Sequence, residues 1–134
     1  MAKLSDIEGI GLVYTQKLQE AGVSTTEALL KKGASQKGLQ EITNKTGISS
    51  KLVLEWVNLA DLFRIKGVGE EYSDLLEEAG VDTVVELAQR KSENLHAKMV
   101  EVNQQKNLVR QVPGLSQVQD WIEQAKALPR VVTY

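Results

Sequence analysis

Apolar residues along this chain recur at helical spacing rather than in alternation. Leu52, Trp56, Leu59, Ala60 and Phe63 follow the i, i+4, i+7, i+8, i+11 rhythm, and Val118, Trp121, Ile122 and Ala125 share one face near the end. Such a stripe marks the buried side of an amphipathic helix. The pattern predicts helices over about 12–21, 24–33, 35–46, 50–64, 70–79, a short one after Asp82, 92–106 and 116–128. Gly22 stands where a left-handed residue can close a helix, and Gly33, Gly47 and Gly80 mark the ends of others. Ser24 with Glu27 reads as a capping box, and Ser35, Asp82 and Ser92 read as N-caps. Val112-Pro113-Gly114 breaks the chain, because proline fixes φ and removes a donor, and Pro129 ends the last helix before a short tail over 130–134. The paired β-branched residues Val84-Val85 and Val131-Val132 are too short for strands. The expected fold is all-α.

The pattern also repeats. Residues 7–29 slid onto 65–87 agree at Ile7, Gly9, Gly11, Tyr14, Leu18, Glu20, Ala21, Gly22, Val23, Thr25 and Leu29, eleven of 23 positions. Glu55-Trp56-Val57 matches Asp120-Trp121-Ile122 at an offset of 65, so the second copy gains seven residues, placed around the 92–111 region. The expectation is two tandem pseudo-repeats, 1–64 and 65–134, packed as one compact body.

Composition narrows the function. There are no cysteines, which excludes disulfides, thiolate chemistry and sulfur-ligated zinc. No run of 18 apolar residues suggests a membrane span, and the start Met1-Ala2-Lys3-Leu4-Ser5-Asp6 lacks a secretory leader's apolar stretch, so a cytoplasmic location is expected. A net charge of −2 argues against a protein that coats nucleic acid. The charge is uneven, however: residues 1–64 hold eight basic and seven acidic groups, residues 65–134 eight and eleven. Between Ala28 and Leu54, Lys31, Lys32, Lys37, Lys45 and Lys51 face only Glu41. A phosphate-binding surface is therefore expected in the first half.

Four turns share one grammar of glycine, an apolar residue and a small residue before a helix: Gly9-Ile10-Gly11, Gly47-Ile48-Ser49, Gly67-Val68-Gly69 and Gly114-Leu115-Ser116. The glycine gives backbone freedom, the apolar residue anchors the turn, and the small residue admits the next helix. This arrangement resembles the helix-hairpin-helix motif, and the whole chain resembles a bacterial family of helix-hairpin-helix-like proteins catalogued as a domain of unknown function. The resemblance implies that hairpin amides and nearby lysines or hydroxyls contact nucleic-acid phosphates without reading bases. It implies a site at Gly9, Gly11, Lys45, Gly47, Ser49, Ser50 and Lys51, with Tyr14 and Lys17 following the first turn. The third turn is discounted because Glu70, Glu71, Asp74, Glu77 and Glu78 follow it. The fourth offers Arg110 and Ser116, with Asp120 one turn on. Tyr14 and Tyr72 are expected to pack against their turns, and Trp56 and Trp121 to anchor the core.

Catalysis is not expected. His96 is the single histidine, and Glu70, Asp74, Glu77 and Glu78 read as a solvated helix face rather than a metal site. No cofactor, metal or small-molecule substrate is implied. Two functions remain. One is a non-enzymatic module binding the DNA or RNA backbone. The alternative is a protein-interaction or scaffolding domain whose acidic second half meets a basic protein partner, with architectural hairpins.

Overall fold

The computed structural model describes residues 3–7 and 9–133; Met1, Ala2, Glu8 of the first turn motif and Tyr134 of the tail lie outside the described residues. Among the described residues the protein is all-α, with eight α-helices and one short 3-10 turn at Leu4–Asp6. The chain divides into two units.

The first unit holds the described residues of 1–61 and 131–134. Its helices are α1 (Leu12–Glu20), α2 (Thr26–Gly33), α3 (Gln36–Thr46) and α4 (Ser50–Leu62, whose last residue belongs to the second unit). Leu18, Leu29, Ile42, Ile48, Val53 and Trp56 supply buried side chains from every one of these helices and from the α3–α4 turn. Helix α1 ends as glycine dictates: Gly22 sits at φ +85°, and Val23 N–H donates to Leu18 O at 2.8 Å while Gly22 N–H donates to Gln19 O. Those two bonds satisfy carbonyls that would otherwise be orphaned at the helix end. Lys32 Nζ then donates to Gly22 O at 2.7 Å and fixes the α1–α2 corner. The C-terminal segment closes this unit. Val132 is buried, and Thr133 donates through N and Oγ1 to Ala34 O at 2.9 and 3.0 Å.

The second unit runs from Leu62 to Arg130 with α5 (Glu70–Glu78), α6 (Val84–Ala88), α7 (Ser92–Lys106) and α8 (Leu115–Ala127). Its core joins Leu62, Ile65, Leu76, Leu87, Met99 and Trp121. Helix α8 is held by Val118, Trp121, Ile122 and Ala125, and removing a buried ring the size of Trp121 costs about 3–5 kcal/mol. Helix α5 ends as α1 does, with Gly80 at φ +96° and Val81 N–H on Leu76 O at 2.9 Å.

Several expected boundaries move. Helix α2 is capped by Thr25, whose side chain accepts from Ala28 N–H, and not by Ser24; α6 is likewise capped by Thr83, accepting from Glu86 N–H, and not by Asp82. Threonine wins because it stands one residue closer, where its hydroxyl reaches the N3 amide. Ser92 is the first residue of α7 rather than its cap; Lys91 holds the cap position without a side-chain bond. Helix α4 stops at Leu62 and not Arg64, and the last helix spans Leu115–Ala127 rather than 116–128.

Candidate nucleic-acid interface

Two isoleucines build the first turn. Ile7 and Ile10 are buried on either side of Gly9, and Ile10 N–H donates to Ile7 O at 3.2 Å. Closing so short a loop puts Gly9 at φ +92°, a region that side chains rarely adopt. Gly9 is thus required by the backbone whatever the turn binds. Gly11 is different. It is the N-cap of α1 in ordinary extended conformation, φ −92° and ψ −171°, and a Cβ there would meet nothing within 4 Å. Neither φ nor space demands a glycine at this position. A serine, threonine or aspartate there would cover the first-turn amides. With Gly11 no side chain caps α1, so its first N–H groups stay open at the positive end of the helix dipole.

The second turn follows a different local design. Gly47 closes α3 at φ +71° and ψ 7°, its N–H donating to Thr43 O at 2.9 Å. Thr46 Oγ1 donates to Ile42 O and accepts from Ile48 N–H, and the Ile48 side chain is buried. This leaves Ser49, Ser50 and Lys51 exposed at the start of α4 and Lys45 exposed on the last turn of α3. Lys45 lines a depression with Lys32, Gly38 and Glu41, whereas Ser50 lines another with Gln36, Gln40 and Asn44. The two turns are linked through α4: Tyr14 of α1 packs on Trp56, with ring centroids 5.1 Å apart. Trp56 lies six residues beyond Ser50, about 9 Å along the helix axis.

The third turn repeats the first in backbone, not in charge. Gly67 stands at φ +95°, and Gly69 caps α5 in extended conformation with no side-chain bond, yet Glu70 and Glu71 occupy the first turn and are exposed. On the same helix Glu78 is paired with Lys106, while Asp74 and Glu77 are half-buried. The expected solvated face is therefore only partly solvated. Among the described residues no group of three His, Cys, Asp or Glu side chains is placed to hold a metal ion.

The fourth turn departs from the expected Gly114-Leu115-Ser116 grammar. Leu115 is the first residue of α8 and 37% exposed, so it is not a buried anchor. Asn107 closes α7 at φ +51°, the loop then runs over 107–114, and the buried anchors are Val109 and Pro113. Asn103 holds this loop, accepting from Val109 N–H at 2.9 Å and donating to Val109 O at 3.2 Å. Arg110 lies exposed on this loop, and Ser116 lies exposed on the first turn of α8. Asparagine replaces glycine here because its short polar side chain tolerates the left-handed region.

Sequence reasoning missed Leu12 and Val13, which are 89% and 66% exposed on the first turn of α1. The signal was present: the corresponding positions 58 residues later are Glu70 and Glu71, which belong on a surface. It also missed Gly38, where a Cβ would stand 1.8 Å from Lys32 O, so glycine there lets α3 start against the end of α2.

The sequence model of a family described as a domain of unknown function (DUF4332) matches residues 8–128, and the chain belongs to that family. No curated protein and no solved structure matches the chain.

Proposed function

We propose that this member of the DUF4332 family is a non-enzymatic, cytoplasmic helix-hairpin-helix module that binds nucleic-acid backbone phosphates without sequence specificity. Gly11 carries the reading: a glycine that the backbone does not need leaves the first-turn amides of α1 uncovered. An uncapped helix N-terminus is a ready anion site. The surrounding unit supports it, since Lys45 and Lys51 are exposed beside the second turn, where Ser49 and Ser50 add hydroxyls. Gly9 and Gly47 shape the turns and hold their amides in place. Few cations take part, so affinity is modest and falls with salt through counterion release. Phosphate contacts of this kind position a duplex or strand and carry no base information.

The test is fluorescence anisotropy with short single- and double-stranded DNA at low and physiological salt. Binding that weakens with salt and is lost in Lys45→Glu/Lys51→Glu supports the reading. Absence of binding at low salt, where electrostatic attraction is strongest, overturns it.

The exposed Leu12–Val13 pair favours a second reading, a protein-interaction domain in which the turns are architecture. The exposed Glu70 and Glu71 then offer contacts to a basic protein. A protein complex that survives the double lysine reversal and is lost on Glu70→Lys/Glu71→Lys is its signature.

A further inference from the structure

Helix α3 carries two kinds of surface stripe. Lys37, Glu41 and Lys45 recur every four residues and are charged and exposed. One residue earlier, Gln36, Gln40 and Asn44 recur at the same spacing, exposed and uncharged. Residues four apart stand one above another on a helix, so the two sets run side by side. The neutral stripe borders a depression of about 370 Å³, together with Leu39, Thr43 and Ser50, the first residue of α4. None of the described residues lining it is charged. Glu41 and Lys45 line the separate depression with Lys32 and Gly38. Leu39 is buried and supplies an apolar patch. The Thr43 hydroxyl donates to Leu39 O at 3.0 Å, so toward a ligand it can only accept.

This lining selects by chemistry. An anion would find no cation in it, and a wholly apolar molecule would leave the carboxamides unpaired. A carboxamide offers a donor and an acceptor side by side in one plane. The N6/N7 edge of adenine is the nucleobase edge that Asn and Gln pair with two bonds. Guanine's edge calls for Arg or Lys and the cytosine amino group for Asp or Glu, and neither kind lines this depression. Its volume lies at the low end for small-molecule sites, with room for a single base rather than a stacked run. Ser50 connects the depression to the phosphate candidates of the second turn, because Ser49 precedes it and Lys51 follows it. We infer that this depression takes one unstacked adenine base of a single strand whose phosphate is held at Ser49, Ser50 and Lys51. The inference rests on the nucleic-acid reading above. It adds a preference for one base type at one position, which phosphate contacts do not supply, and leaves the rest of the sequence unread. It also favours single strands, since a base inside a duplex keeps its stack.

The test is fluorescence anisotropy of the full chain at low salt with a short oligodeoxyadenylate, an oligothymidylate and an abasic strand of equal length. The adenylate is expected to bind about tenfold more tightly than the abasic strand, within the range of one bidentate amide–adenine pair. Gln36→Ala/Gln40→Ala/Asn44→Ala changes exposed side chains to a good helix former, and is expected to bring the adenylate to the abasic affinity while leaving the latter unchanged. In the ¹⁵N-labelled wild-type chain the Gln40 and Asn44 carboxamide signals are expected to move with the adenylate and to stay with the abasic strand, a readout independent of how the variant folds. An abasic strand bound as tightly as the adenylate, or a preference that survives the triple substitution, overturns the inference and spares the nucleic-acid reading. Thymidylate bound as tightly as adenylate overturns the assignment to adenine. If no strand binds at low salt, both readings fall.

Discussion

Replacing Gly11 by aspartate separates stability from binding, because the two should move in opposite directions. Gly11 has extended backbone and open space around its Cα, so an aspartate fits without strain. Its carboxylate accepts from the first-turn amides of α1. The gain over glycine at an N-cap is a few tenths of a kcal/mol, and a charge at the helix N-terminus adds about 0.3–1 kcal/mol. For a chain of this size the sum raises the melting temperature by roughly 2–4 °C. Binding should fall, since the same amides are now occupied and a negative charge faces the phosphate. At a separation of about 4 Å that repulsion is worth about 1 kcal/mol in bulk water and about 4 kcal/mol near a protein surface. The affinity loss lies between about 5-fold and about 1,000-fold. Thermal melting and anisotropy on one preparation measure both quantities. Gly69→Asp is the control: it caps α5 in the same way but sits beside Glu70 and Glu71, and DNA affinity should not change. Wild-type affinity in a stabilised Gly11→Asp protein would refute the amide site. A destabilised one would refute the cap geometry from which the site is argued.

Three further outcomes follow from the same structure. Lys45→Gln/Lys51→Gln should lower the salt slope for duplex DNA by about 1.8, because two phosphate contacts are lost at about 0.9 each; an unchanged slope in an anisotropy salt series moves the interface elsewhere. Thr25→Ala should cost about 1 kcal/mol in urea denaturation and Ser24→Ala less than about 0.5 kcal/mol, since only Thr25 bonds the Ala28 amide; equal costs would put the cap in the wrong place. Gly38→Ala should cost about 3 kcal/mol or more, because its Cβ would collide with the Lys32 carbonyl at 1.8 Å, whereas Gly47→Asn, at φ +71° with open space, should cost less than about 1 kcal/mol; the reverse order in melting experiments would contradict the packing described.

Much of the fold was legible because helix signals are local. The stripe ending near Phe63 and the glycines at 22, 47 and 80 act within a turn or two of the residues they govern, and the helices stop where those glycines stand. Cap identities were less legible. Ser24 and Thr25 are both good caps by composition, and the choice between them depends on which hydroxyl reaches an amide once α2 is docked. The fourth turn was misplaced for a related reason: Gly114 looks like the other turn glycines, but the left-handed residue that closes α7 is Asn107. At the candidate site the chemistry of single positions could be read and their grouping could not. Nothing in sequence separates Lys45 from Ser50, which line different depressions, or shows that Gly38 is fixed by a carbonyl six residues upstream.

The bonds from Thr133 to Ala34 set a clock on this molecule. The first unit leaves the chain at residue 61 and recovers its closing segment at 131, so its set of internal contacts is incomplete until the second unit has been synthesised. At typical elongation rates of 5–20 residues per second, the interval is roughly 3–14 s. During that time Ala34 O lacks its partners and the place taken by Val132 stands open. The second unit is contiguous in sequence and has no such wait. The later-translated half can therefore finish folding before the earlier one, reversing the order in which the ribosome delivers them.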